Sequence, residues 1–256
     1  MPKAVEPAAI VHNQEALETL ALHSELLHRT YLDLTTPHVA DACMRLGIAV
    51  RCAPAGTAPL WTGSHLVGRV LPARHTGSVD VFLEAIDRAE PGDVLVVDND
   101  GRQDEACVGD LVALEASRAG LSGIAIWGLH RDASELRTIR LPVFSQGSLP
   151  VGPQRLDPRH PEAQTSAMVG PHEVTAEDFV LGDDDGVVFV PLARAREVAD
   201  AAASIRDTER AQAARMLTGT PFRNQARLAE YLVARDANPD VTFRQHLRSI
   251  GGEIEE

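Results

Sequence analysis

"GDLVALEASRAGLSGIAIWGLHRDASEL", Gly109–Leu136, contains a helix, a strand, a loop and the start of another helix. "GDLVALEASRAG", Gly109–Gly120, follows a polar loop and reads as a helix. "GIAIW", Gly123–Trp127, is a short apolar run without polar alternation, the pattern of a strand buried on both faces in a parallel sheet. Upstream, "PGDVLVVD", Pro91–Asp98, repeats the motif: a turn, then an apolar strand. Two such β-loop-α units in succession predict an α/β fold with helices covering a parallel or mixed sheet.

Working outward, "HLVGRVLPA" (His65–Ala73) reads as a strand and "VDVFLEAIDRAE" (Val79–Glu90) as a helix, while "LPVFS" (Leu141–Ser145) is a strand after the quoted passage. In "TTPHVADACMRLG", Thr36 is the expected cap, Pro37 suits the first turn and Gly47 ends the helix. A further helix is expected from Asn13 to Arg29. The stretch 152–174 has no clear periodicity, and "FVLGDDDGVVFVP" reads as an acidic turn entering an apolar strand. Residues 193–217 form a long, Ala-rich, charged helix, too polar to lie wholly in a core and long enough to reach another subunit. The tail should hold one helix through Leu232. The expected organisation is an N-terminal helical extension (1–30), a catalytic domain (31–220) and a C-terminal helical tail (221–256).

The net charge of −13 argues against a nucleic-acid groove and requires any anion site to be locally positive. Apolar runs are far shorter than the ~20 residues that span a bilayer, and the first 20 residues lack the apolar core of a secretory signal. Cys43, Cys52 and Cys107 are an odd set without a C-x-x-C pair, which suits a reducing cytoplasm.

Ligand sites of open α/β sheets gather beyond the carboxyl ends of strands. Here two loops qualify, "NDGRQDEACVGDLV" and "GLHRD", and they lie together if their strands are neighbours. The helix opening at Gly109 would offer a substrate carboxylate the amides of Leu111 and Val112. Arg131 would grip that carboxylate bidentately, Asp132 would supply a hard oxygen to Mg²⁺ or Mn²⁺, and Asp110 would hold a water. Taken singly these residues have plainer readings. Asp132 is a helix cap, Arg131 a surface ion pair, Asp110 a partner of the helix dipole, and His130 a loop or supporting residue. His75, Ser78 and Asp80 in "RHTGSVDVF" could line a pocket, or serve packing, capping and surface roles.

The ordered set "PGDVLVVD", "GDLVALEASRAGLSGIAI", "GLHRDASEL", "LPVFSQG" and "DDDGVVFVP" resembles the RraA-like superfamily over roughly Thr36–Gly219. That group includes 4-hydroxy-4-methyl-2-oxoglutarate / 4-carboxy-4-hydroxy-2-oxoadipate aldolases and regulators of ribonuclease E activity. The resemblance implies a swivelling β/β/α domain assembled as a homotrimer or hexamer. Its G-[DE]-L-L segment matches Gly109, Asp110, Leu111 and Val112, and its Arg-Asp pair matches Arg131 and Asp132. A Glu from a neighbouring subunit's long helix falls, counting back from Gly219, on Glu209. The chain departs from the family in "WGLHRD", with Trp127 and His130 where Asp-Gly-x-Val is common, and in a longer tail.

These matches imply a divalent-metal-dependent lyase that releases pyruvate from 4-hydroxy-2-keto acids through an enolate. Asp110 and Glu209 would hold the proton-shuttling water, and oxaloacetate would lose CO₂ through the same enolate. The single lysine, Lys3, disfavours a Schiff-base aldolase, and no convincing Gly-rich nucleotide loop supports a methyltransferase. The alternative is a non-catalytic regulator that binds a ribonuclease or another protein.

Overall fold

A computed structural model describes residues 26–251. Most of the helix expected over Asn13–Arg29 lies outside the described residues; the described part of it, α1, is helical over 26–32. Next along the chain are α2 (Thr36–Arg45), β1 (Arg51–Cys52), β2 (Ala58–Pro59), β3 (Leu66–Arg74), α3 (Asp80–Asp87) and β4 (Val94–Asp98). The site-bearing passage is β5 (Ala106–Val108), α4 (Asp110–Arg118), β6 (Gly123–Trp127), β7 (Leu129–His130) and α5 (Ala133–Ile139). Then come β8 (Val143–Ser145), β9 (Ser166–Val169), β10 (His172–Thr175), β11 (Asp178–Asp183) and β12 (Gly186–Pro191). The chain closes with α6 (Ala195–Leu217), α7 (Phe222–Gln225), α8 (Leu228–Ala237) and α9 (Phe243–Ser249).

Eight strands make one curled, mixed sheet in the order β1-β12-β11-β3-β4-β6-β8-β2, whose β2 edge turns back toward β11 and β12. β3, β4, β6 and β8 run parallel, as the repeated β-loop-α pattern predicts. The pleat sends alternate residues to opposite faces. Leu95, Val97, Ile124 and Ile126 pack under α3, α4 and α5. Val94, Val96 and Ala125 join Phe144, Val180 and Phe189 on the other face. A third cluster seats α2 and α6 on Val67, Leu181, Val188 and Val190.

All five residues of β4 are buried. Each buried aliphatic side chain contributes about 1.5–3 kcal/mol, against roughly 1 kcal/mol for a helix cap. The core therefore sets the register of the sheet, and caps only trim helix ends. The cap of α2 shows this: it is Thr35, not Thr36. Thr36 instead donates both its N–H and its hydroxyl to Asp183, at 2.7 and 2.6 Å, binding the helix to the acidic turn.

Three expectations need correction. The 152–174 stretch ends in a hairpin strand, β9, paired with β10 through Val169 and His172. "FVLGDDDGVVFVP" holds two strands, since β11 and β12 pair antiparallel from Asp178–Pro191 to Asp183–Gly186. The tail carries three helices rather than one, and α8 runs past Leu232 to Ala237. No helix among the described residues is long and apolar enough to cross a membrane.

Candidate active site

The β4 and β6 strands are parallel neighbours in register Asp98↔Trp127, so the loops leaving them emerge side by side. Each loop then forms a second, shorter strand. β5 and β7 pair in parallel, with Ala106 opposite Leu129 and Val108 opposite His130. This small ladder brings the residues that leave β5 alongside those that leave β7. The Arg131 N–H donates to Val108 O at 2.9 Å, one residue before Gly109.

Asp132 occupies the cap position of α5, yet its side chain makes no capping hydrogen bond. Its backbone is left-handed, φ 58° and ψ 40°, a conformation that costs a non-glycine residue about 1–2 kcal/mol. That geometry carries the carboxylate away from its own helix and over Gly109. A Cβ at Gly109 would overlap Asp132 Oδ2 and crowd Arg131 Nε at 3.2 Å. The Asp110 N–H points to the same Oδ2 at 3.4 Å, and Arg131 Nε lies 3.3 Å from it. Arg131 is half exposed, and a Cβ on Gly152 would stand 2.6 Å from its Nη1. Two glycines from separate loops thus leave room for one guanidinium–carboxylate pair. The plainer reading of Asp132 as a side-chain helix cap fails, while Arg131 does form a partly exposed ion pair, with Asp132 as its partner.

Gly109, Asp110 and Arg131 border a cleft of about 470 Å³. One wall is Gly109–Val112 with Arg131; the other is His75, Gly77, Ser78 and Val79 at the end of β3; Pro153 and Leu156 close a side. The first-turn N–H groups of α4 lack intrahelical partners and face a ligand with the positive end of the helix dipole. Of the two amides expected to hold a carboxylate, that of Leu111 already donates to Asp110 Oδ1 at 2.8 Å. Leu111 itself is 75% exposed at the lip of the cleft.

Cys107 borders the cleft, and burial pushes its thiol well above the usual range, so it stays protonated and is a poor nucleophile. His130 is buried in β7, where Nδ1 meets Ser145 Oγ at 2.7 Å, and burial holds its pKa below the ordinary value. Its main chain bonds Gly147 O and the Leu149 N–H, so it fastens the 145–149 loop to the ladder. Glu209 stands elsewhere: on α6, its carboxylate 3.1 Å from His38 Nε2, outside the residues that line the cleft of one chain.

Among the described residues no group of three or more His, Cys, Asp or Glu side chains encloses a cation. Asp132, whose Oδ2 stands over Gly109, and Asp110 at the cleft wall are the carboxylates that could hold a cation such as Mg²⁺, which takes one or two carboxylates and keeps most of its water.

Sequence reasoning missed Gly152, Asn99 and Arg155. Gly152 stands in an aperiodic loop, and the other two reach His75 and each other through contacts 24–80 residues away in the chain.

A family described as Aldolase/RraA (RraA-like) matches residues 36–189. Protein DlpA of Legionella pneumophila is 29% identical over 160 residues, which cover 59% of this chain and 25% of that protein. A "Putative 4-hydroxy-4-methyl-2-oxoglutarate aldolase" of Halalkalibacterium halodurans is 28% identical over 144 residues, 55% of this chain and 66% of the relative. The chain therefore spans less than two thirds of the length of these relatives. Among solved structures, Streptomyces coelicolor RraAS2, described as an unusual member of the RNase ES inhibitor RraA protein family, superimposes with a TM-score of 0.63. It is 26% identical, with 74% of this chain and 97% of that one covered.

Proposed function

The chain belongs to the RraA-like family, and from that premise we propose that it is a divalent-cation-dependent carbon–carbon lyase releasing pyruvate from 4-hydroxy-2-keto acids, with oxaloacetate decarboxylation at the same site. One observation carries the reading: Asp132 forgoes its helix cap and reaches across Gly109 beside Arg131, the latter two lining an open cleft. A surface cap has no need of that strained geometry.

Asp132 would hold the cation with Asp110 close by, and the bound cation would supply a Lewis acid for the substrate's ketone oxygen. Arg131, a planar donor fork, binds the 2-keto acid's carboxylate and offsets charge that develops as the bond breaks. The α4 N-terminus adds a fixed positive potential that the chain's overall −13 charge does not provide. Leu111, Val112 and Leu156 give the cleft an apolar margin against which the substrate's carbon chain would lie. Residues 31–220 are the unit that carries this chemistry, and Glu209 would act in the cleft of a neighbouring copy of a trimer or hexamer.

The test is pyruvate release from oxaloacetate with Mg²⁺ or Mn²⁺, with EDTA, and in Asp132→Ala. Metal-dependent turnover that Asp132→Ala lowers at least about 100-fold supports the lyase, a loss of roughly 2.7 kcal/mol of transition-state stabilisation. Wild-type protein without turnover, or a fully active Asp132→Ala, favours the second reading. That reading, a regulator that binds a ribonuclease or other protein, draws on the likeness to RraAS2.

A further inference from the structure

His75 is 5% exposed yet borders the cleft. Its ring stacks on Phe82, centroids 5.1 Å apart and planes at 11°, and its N–H is held by Asp98 O at 2.8 Å. Nδ1 lies 2.8 Å from Asn99 Oδ1. The same Oδ1 accepts from Arg155 Nη2 at 3.2 Å. Arg155 can only donate, so the oxygen of Asn99, not its nitrogen, must face both groups. Nδ1 therefore carries the hydrogen, and Nε2 carries the lone pair. Nε2 has no partner among the described residues, although it is not among their fully buried orphaned polar atoms. A neutral imidazole is thus locked in one tautomer, with its acceptor nitrogen unpaired in a residue that borders the cleft.

We infer that His75 Nε2 is the general base that takes the C4 hydroxyl proton when a 4-hydroxy-2-keto acid is cleaved. The assignment rests on the lyase reading above and adds the group that it lacks within one chain. As the O–H proton moves to Nε2, the C4–O bond becomes a carbonyl and the C3–C4 bond breaks. Its electron pair passes to the pyruvate enolate, which Arg131 faces. The imidazolium then returns the proton to C3. The products are a ketone or aldehyde and pyruvate, with no co-reactant consumed. Asn99 and Arg155 are positioning residues that fix the tautomer. Burial lowers the His75 pKa below 6.5, opposed by the Asn99 hydrogen bond, helped by Arg155 and opposed again by Glu105 and Asp80, so the base is free at neutral pH. Oxaloacetate has no hydroxyl to deprotonate, and its decarboxylation does not need this group.

The test compares both reactions in wild type and His75→Asn, which keeps a donor at the Nδ1 position and deletes Nε2. Cleavage of 4-hydroxy-4-methyl-2-oxoglutarate and related 4-hydroxy-2-keto acids should fall about 10²–10⁴-fold in kcat/KM, while oxaloacetate decarboxylation stays within about threefold. The acid limb of the wild-type cleavage profile should lie below pH 6.5 and be missing from decarboxylation. Equal loss of both activities, or loss of neither, overturns the assignment. So does a wild type that decarboxylates but cleaves no 4-hydroxy-2-keto acid, an outcome that leaves only the decarboxylase part of the lyase reading standing. No metal-dependent turnover of either substrate overturns both.

Discussion

Asp132 Oδ2 occupies the space that a side chain on Gly109 would fill. The strained carboxylate and the bare backbone are complementary, and each explains the other. Gly109→Ala should displace Asp132 and lower kcat/KM for pyruvate release at least tenfold, about 1.4 kcal/mol. Because α4 keeps its core contacts through Val112, Ala113 and Ala116, the melting temperature should move by only a few degrees. Unchanged turnover would break the link between these two residues.

Arg131 is half exposed, so charge alone could be replaced. Its planar fork could not. Arg131→Lys should raise KM for 2-keto acids by about tenfold or more, with circular dichroism and melting unaltered. A lysine variant with wild-type KM would reduce Arg131 to a surface charge.

Ser145 receives the Nδ1 contact of His130 and also bonds the main chain of Gly147. His130 Nε2 already lacks a partner among the described residues. Ser145→Ala would leave the imidazole unsatisfied at both nitrogens, a cost of about 1–3 kcal/mol. Urea denaturation should show the loss at an unchanged m-value; stability within about 0.5 kcal/mol of wild type, by the usual ~10–15% error of extrapolation, would count against the bond.

Acid should weaken the fold. His28 and His75 both have pKa values lowered by burial, with His65 adding to the effect at His28. With folded pKa values below the unfolded 6.5, the unfolded chain binds more protons in that window. The stability contribution is full above pH 6.5 and is lost as pH falls through the folded values. Denaturation midpoints should decline between about pH 7.5 and about pH 5, on either side of the ordinary histidine value, and His75→Asn should flatten the decline. A slope identical in the variant would remove His75 from the account.

Cys107 borders the cleft but is held as a thiol by burial. Cys107→Ser should retain activity within about threefold, and iodoacetamide should label the wild type slowly at about pH 8, conditions under which only a low-pKa thiolate reacts fast. Rapid inactivation by the reagent would contradict this.

The helices and strands from His65 to Leu217 were readable because their signal is periodic and local. "VLVVD" and "GIAIW" are apolar without alternation, which only doubly buried strands require. Shorter elements escaped for the opposite reason. β5 and β7 have three and two residues, too few for any period to show, and exist because the longer strands deliver their loops side by side. β9 was hidden among Pro and His residues, and β11 because the glycine and acids of the turn obscured the strand before it.

From the chain alone came the α/β class, the order of its units, and Arg131 beside Asp132, since residue spacing fixes which faces are apolar and which neighbours share a turn. Tertiary packing alone decided that Asp132 reaches over Gly109 rather than capping α5, and that Arg155 and Asn99 orient His75. Side-chain direction at those positions depends on atoms that are tens of residues distant and meet only once the sheet has closed its register. Local patterns carry no record of such encounters.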